Sequence, residues 1–172
     1  KSHNGLAMKY TITEEFIVAS DKKLFRIKRV SDGLLGGYIE SERNLSQEGD
    51  CFVYDNAKVC GNAVVSDNAR VYGDARVSGD AIVFGNARVY HDAGVYGDAS
   101  VYGNAMVYGT ARVSGNARVY SDARVFGDAI VSGEAWVSCN AMVYGDARVQ
   151  TGHVTREHIA EKKVYKKRVI MD

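Results

Sequence analysis

Residues 101–118 read VYGNAMVYGTARVSGNAR. Three hexads follow one another here, and each runs valine, a variable residue, glycine, a polar residue, alanine, a variable residue. The same frame extends in both directions without an insertion. Valine opens every hexad from Val53 to Val149, and alanine holds the fifth place from Ala57 to Ala147. The run Gly49-Asp50-Cys51-Phe52 reads as the tail of one earlier hexad, with Cys51 in the alanine place. A fixed period sustained over this length signals stacked repeats and outranks local propensity.

The chemistry of the hexad says how six residues turn. Valine is β-branched and favours extended backbone. Its neighbours at the sixth and second places must point the opposite way, because side chains alternate along a strand. Those neighbours are mostly Arg, Lys, Met, Ile, Tyr and Ser, so valine faces in and a mixed row faces out. Gly-Asp or Gly-Asn supplies the bend, since these residues tolerate unusual backbone angles. Alanine returns inward at a corner that admits only a small side chain. Three edges closing on themselves make a triangular coil of 18 residues, and the 17 valines give nearly six coils. At about 4.8 Å per coil the prism is about 27 Å long. The expected fold is therefore all-β: a single-stranded parallel β-helix with small N- and C-terminal caps.

The pattern resembles the hexapeptide-repeat left-handed β-helix family, with the glycine one place later than that family usually has it. The lead-in GGYIESERNLSQEGDCFVYDNAKV at residues 36–59 resembles that of phage, prophage and bacterial hexapeptide-repeat proteins labelled putative transferases. The left hand of the helix comes from this resemblance alone. It also implies self-assembly as trimers through prism faces; the expected homo-oligomer is a trimer or a dimer. Its transferases carry acyl groups from coenzyme A, with a histidine as general base.

Around the repeat, the chain divides into four expected parts. Residues 1–7, KSHNGLA, read as a vector remnant before a native start at Met8. Residues 8–48 form an N-terminal β cap, with strands over Lys9–Ser20 and Leu24–Val30 and a turn at Asp21-Lys22-Lys23. Residues 49–150 are the β-helix. Residues 151–172 form a basic C-terminal cap or tail, either a short helix capped by Thr155 or a terminal strand through Val169-Ile170-Met171. Lys162, Lys163, Lys166, Lys167 and Arg168 make that end basic: a solvated cap face or a docking surface steered by charge.

Composition narrows the function classes. The net charge of +1 gives no prior for nucleic acid, and no apolar run reaches the ~20 residues of a membrane-spanning helix. Cys51, Cys60 and Cys139 are odd in number and lack metal-ligand spacing, which fits reduced cytoplasmic thiols. In a phage-encoded protein the compartment would be the host cytoplasm. Neither a phosphate loop nor a Cys/His cluster is present. Thr110 is the only threonine in the coils, so there is no threonine ladder for ice.

An 18-residue winding sorts the outward residues into rows. One second-place row is aromatic throughout: Tyr54, Tyr72, Tyr90, Tyr108, Phe126, Tyr144. Beside it lie Phe52, Arg70, Arg88, Met106, Arg124 and Met142. Arg and Met beside aromatics suit cation–π and sulfur–aromatic contacts. Such a row is a structural ladder, an interface for a second copy or another protein, or both. Another face carries Trp136 outside the core, near Phe84, Tyr102 and Tyr120. The catalytic candidates are His91, which replaces a corner glycine, and His153, expected just past the last coil. The unbroken register leaves no loop for an acceptor pocket. The favoured expectation is a non-catalytic binding or scaffold solenoid with no cofactor. The alternative is an acyltransferase using acetyl-CoA.

Overall fold

A computed structural model describes residues 7–156 and 158–160, together with the backbone pairing of residues 164–165 and 170–171. The chain winds as a three-sided β-solenoid. Each hexad contributes a two-residue strand made of its sixth place and the following valine, as in Arg88–Val89, Gly94–Val95 and Ser100–Val101. Strands one coil apart pair in parallel and in register, Arg88 with Arg70 and Met106, Gly94 with Arg76 and Arg112. This builds three sheets, one per face of the prism.

The corners follow from one backbone requirement. The third place of every hexad from Asp55 to Gly145 has positive φ. The second-place carbonyl accepts a hydrogen bond from the fifth-place N–H, as from Ala57 N to Tyr54 O at 3.1 Å. That is a four-residue turn whose first central residue must be left-handed, the position where glycine costs least. The fourth-place N–H then donates to the third-place carbonyl of the next coil, as from Asp92 to Gly109 at 2.8 Å. Hydrogen bonds therefore run from coil to coil along corners as well as edges. Where Asp replaces glycine it adds a bond: the Asp55 and Asp67 carboxylates accept from Gly73 and Gly85 N–H at 2.9 and 3.0 Å.

The core is the valine–alanine interior that the repeat demands. Every frame valine from Val53 to Val149 and every frame alanine is fully buried. Burying one valine side chain stabilises by about 1.5–3 kcal/mol, and here each one lies on another. Asn62–Asp80 and the run Asn68, Asn86, Asn104, Asp122 bond side chain to side chain at 2.9–3.3 Å along two corners.

The winding passes both expected limits. β1 (Tyr10–Ala19) and β2 (Lys22–Arg29) form the expected antiparallel hairpin. Its turn is Ser20-Asp21, both with positive φ, rather than Asp21–Lys23. β3 (Leu35–Ile39) pairs antiparallel with β2 on one side and parallel with Lys58–Val59 on the other. The first coil thus begins near residue 36, inside the segment assigned to the cap. Gly36 and Gly37 permit this: a Cβ on either would meet the Val53 or Ala57 carbonyl at 2.6 or 2.5 Å. Asn44 is fully buried and completes the first corner, donating to the Gly61 and Ala63 carbonyls at 3.1 and 2.8 Å.

At the other end, Trp136 pairs with His153, Met142 with His158 and Arg148 with Val164. The spacings fall from 18 to 17 and then 16 residues, so the last coil is cut short at its corners. Residues 158–159, 164–165 and 170–171 are strands, so the helix started by Thr155 does not form across them. The basic residues Lys162, Lys163, Lys166, Lys167 and Arg168, and Val169, lie outside the described residues.

Candidate functional site

The aromatic row falls on one face, as the winding required. Tyr72, Tyr90, Tyr108, Phe126 and Tyr144 stack with centroids 4.8–4.9 Å apart and planes within 5° of parallel. Tyr54 leaves the stack and meets Phe52 edge-on at 5.0 Å. Phe52 is not on the open surface; it is 1% exposed, with the Arg29 guanidinium 5.3 Å from its ring centre. The reason is β2 and β3, which cover the first coil. The usable ladder is therefore five rungs long.

Beside the ladder run Arg70, Arg88, Met106, Arg124 and Met142, with the arginines exposed. Among the described residues, Arg70, Arg88 and Arg124 make no cation–π contact with the ladder; those found involve Lys23, Arg26, Arg29 and Arg118. Strand geometry explains it, since neighbouring outward residues stand side by side rather than one over the other. Among the described residues, Arg70, Arg88 and Arg124 have no ion-pair partner either. Beyond the ladder the corner row carries Asp74, Asp92, Thr110, Asp128 and Asp146, all exposed. The face thus has a basic row, a ring row and an acidic row in fixed order. Burial pushes the Tyr90 hydroxyl pKa up, with Tyr72 and Tyr108 adding to the effect and Arg124 and Arg88 opposing it.

A second aromatic stack lies on the tryptophan face. Phe84, Tyr102 and Tyr120 stack at 4.8 and 5.0 Å. Trp136 follows edge-on to Tyr120 at 6.3 Å, with Arg118 over its ring at 5.0 Å. His153 is not past the last coil. It occupies the next rung and stacks on Trp136 at 4.5 Å and 9°. Sequence reading missed this because the shortened corner moves His153 into the row one place earlier than the hexad count allows. Glu134, Trp136, Thr151, Gly152 and His153 line an open groove of about 440 Å³.

His91 stands on a corner at φ +56 and touches Tyr90 edge-on at 4.8 Å. The two histidines are on different faces, so they do not share a site. Among the described residues no three His, Cys, Asp or Glu side chains cluster as a metal ion would need, and no helix is long and apolar enough to cross a membrane.

A family model described as YdcK beta solenoid repeat matches residues 57–73, 69–84, 83–97 and 111–125. The coils are similar to YdcK-type repeats. The matched stretches fall within the hexads and include Tyr72, Tyr90, His91 and Gly94, so the YdcK-type likeness covers about a third of the chain. No curated protein matches the sequence.

Proposed function

We propose that this protein is a non-catalytic binding scaffold that pairs with a second copy of itself through the tyrosine face. The row order carries the reading. In a parallel pair related by a two-fold along the prism, the sixth-place row of each copy lies over the second-place row of the other. Arg70, Arg88, Met106, Arg124 and Met142 of one copy then meet Tyr72, Tyr90, Tyr108, Phe126 and Tyr144 of the other. Every rung gains a cation–π or sulfur–aromatic contact. The acidic corner row of each copy lies outside the basic row of the other, which adds charge complementarity. An antiparallel pair with its axis across the prism sets arginine on arginine and is disfavoured.

The test is sedimentation velocity at tens of micromolar protein. Wild type is expected to run as a dimer. Arg88→Glu places like charge against the other copy's Asp92 and is expected to run as a monomer with an unchanged far-UV spectrum. A monomeric wild type, or an unaffected Arg88→Glu dimer, sinks the reading.

One observation favours a second reading, an acyltransferase of the hexapeptide-repeat class using acetyl-CoA. His153 lines a groove together with the Glu134 carboxylate, and an imidazole in a shaped pocket is what a general base requires. A thermal shift with acetyl-CoA decides it. Stabilisation that His153→Ala removes, with acetyl transfer lost alongside, supports the enzyme. No shift supports the scaffold.

A further inference from the structure

The third face, which carries Lys58, Arg76, Arg112, Ile130 and Arg148 in its sixth-place row, departs from its pattern at one rung. There Gly94 stands where neighbours carry long cations, and Tyr96 stands in a row of Ser78, Ser114 and Ser132. Both departures fall on the same rung.

Folding does not explain Gly94. The third-place glycines are held by positive φ, and a Cβ on them meets the next coil's backbone at 2.7–3.2 Å wherever another corner glycine follows. Gly94 has neither constraint: its added Cβ would meet only Tyr96 ring carbons, at 3.8 Å, an ordinary contact. Glycine inside a strand weakens it relative to alanine. Such a residue often marks a place that something else approaches closely.

The gap opens a notch of about 590 Å³. Arg76 lies one rung before it and Arg112 one rung after, with Lys58 one rung beyond Arg76. Ser78 and Tyr96 form one wall, and Asp74 and Asp92 the other. Three cations face two carboxylates, and among the described residues neither arginine has an ion-pair partner. Guanidinium forks above and below a vacant rung suit a planar oxyanion held from both sides. Tyr96 is 39% exposed and offers a ring surface beside it.

We infer that the notch at Gly94 binds a ligand carrying an oxyanion on a flat ring, gripped by Arg76 and Arg112 with the ring against Tyr96. The notch opens on a different face from the tyrosine ladder and shares with the proposed pairing surface only the corner carboxylates Asp74 and Asp92.

Amide and arginine side-chain NMR shifts on the full chain test this, with phenyl phosphate and benzoate as probes and benzyl alcohol as the neutral control. Saturable shifts at Gly94, Tyr96, Arg76 and Arg112 are expected with at least one anion and not with the alcohol. The tighter of the two names the oxyanion as phosphate or carboxylate. Gly94→Arg restores the side chain of the neighbouring rungs and is expected to fold and abolish binding. Arg112→Gln is expected to weaken it at least fivefold. No saturable shift with either anion, or equal binding by Gly94→Arg, overturns the inference.

Discussion

Tyr72 and Tyr90 sit one coil apart with ring centroids 4.8 Å apart and planes within 1° of parallel. Free aromatic pairs prefer offset or edge-on geometry, because facing quadrupoles repel. Here the separation equals the strand spacing, so the backbone imposes the stack. Ring-to-ring contact then excludes water between rungs and fixes the rings as a flat strip.

Tyr90 has a stacked ring on both sides. Tyr90→Leu is expected to cost about 1–3 kcal/mol, two stacking contacts of about 0.5–1.5 kcal/mol each. Tyr90→Phe keeps the rings, as Phe126 does within the same ladder, and is expected to fall within about 0.5 kcal/mol of wild type. Urea unfolding of the dimer-disrupted Arg88→Glu background measures both, so that pairing does not enter the comparison. Equal losses for Leu and Phe contradict a stacking role.

The same burial predicts alkaline weakening. The Tyr90 hydroxyl has its pKa raised, and so, more strongly, does that of Tyr10, whose hydroxyl donates to the Leu45 carbonyl. A phenol with a raised folded pKa holds its proton more tightly in the native state than in the unfolded chain. Its contribution is complete below the unfolded value near pH 10 and is lost as pH climbs through the folded value. Unfolding midpoints are expected to begin to fall near pH 9, where the unfolded-state thiols of Cys51 and Cys60 ionise, and to fall more steeply above about pH 10 as the phenols follow. Tyr10→Phe should flatten that fall, and a slope unchanged in the variant speaks against it.

How much of this was legible in the hexad is a matter of what repeats. Val89 and Ala93 had to face in because nothing else at their places varies so little. Tyr72, Tyr90 and Tyr108 followed onto one wall from the 18-residue winding. The ends were not legible, because there the period changes. His153 joined the Trp136 rung through a shortened corner, and Phe52 was covered by a lead-in strand whose pairing no repeat encodes. Gly94 was visible as a letter. Its meaning needed the open space around its missing Cβ.

Corner residues separate by backbone angle. Gly97 has φ +66, and a Cβ there would lie 2.9 Å from Gly115 N. Gly97→Ala is expected to cost about 1–3 kcal/mol. His91 already occupies such a corner at φ +56. His91→Gly is expected to stabilise by about 0.5–1 kcal/mol, the left-handed penalty less the chain entropy of glycine. Thermal and urea midpoints of the two variants should move in opposite directions. A destabilised His91→Gly would mean that the contact with Tyr90 outweighs the strain.

The three thiols should react in order of exposure. Cys139 is exposed, Cys60 is half-buried and Cys51 is buried. Burial raises the pKa of both Cys60 and Cys51, although Lys22 and Lys9 respectively pull the other way. The thiolate is the reactive form, so raised pKa and restricted access act together. Native protein treated with a disulfide reagent at pH 8 is expected to lose Cys139 first and Cys60 more slowly. Cys51 should react only as fast as the first coil opens, because its Sγ lies under Lys9 with Nζ at 3.2 Å. Peptide mapping after timed quenching reads the order. Denaturant well below the unfolding midpoint should accelerate Cys51 alone if the N-terminal coil opens as its own unit. Labelling of Cys51 at the rate of Cys139 in native buffer would mean that β1 does not cover that end of the prism.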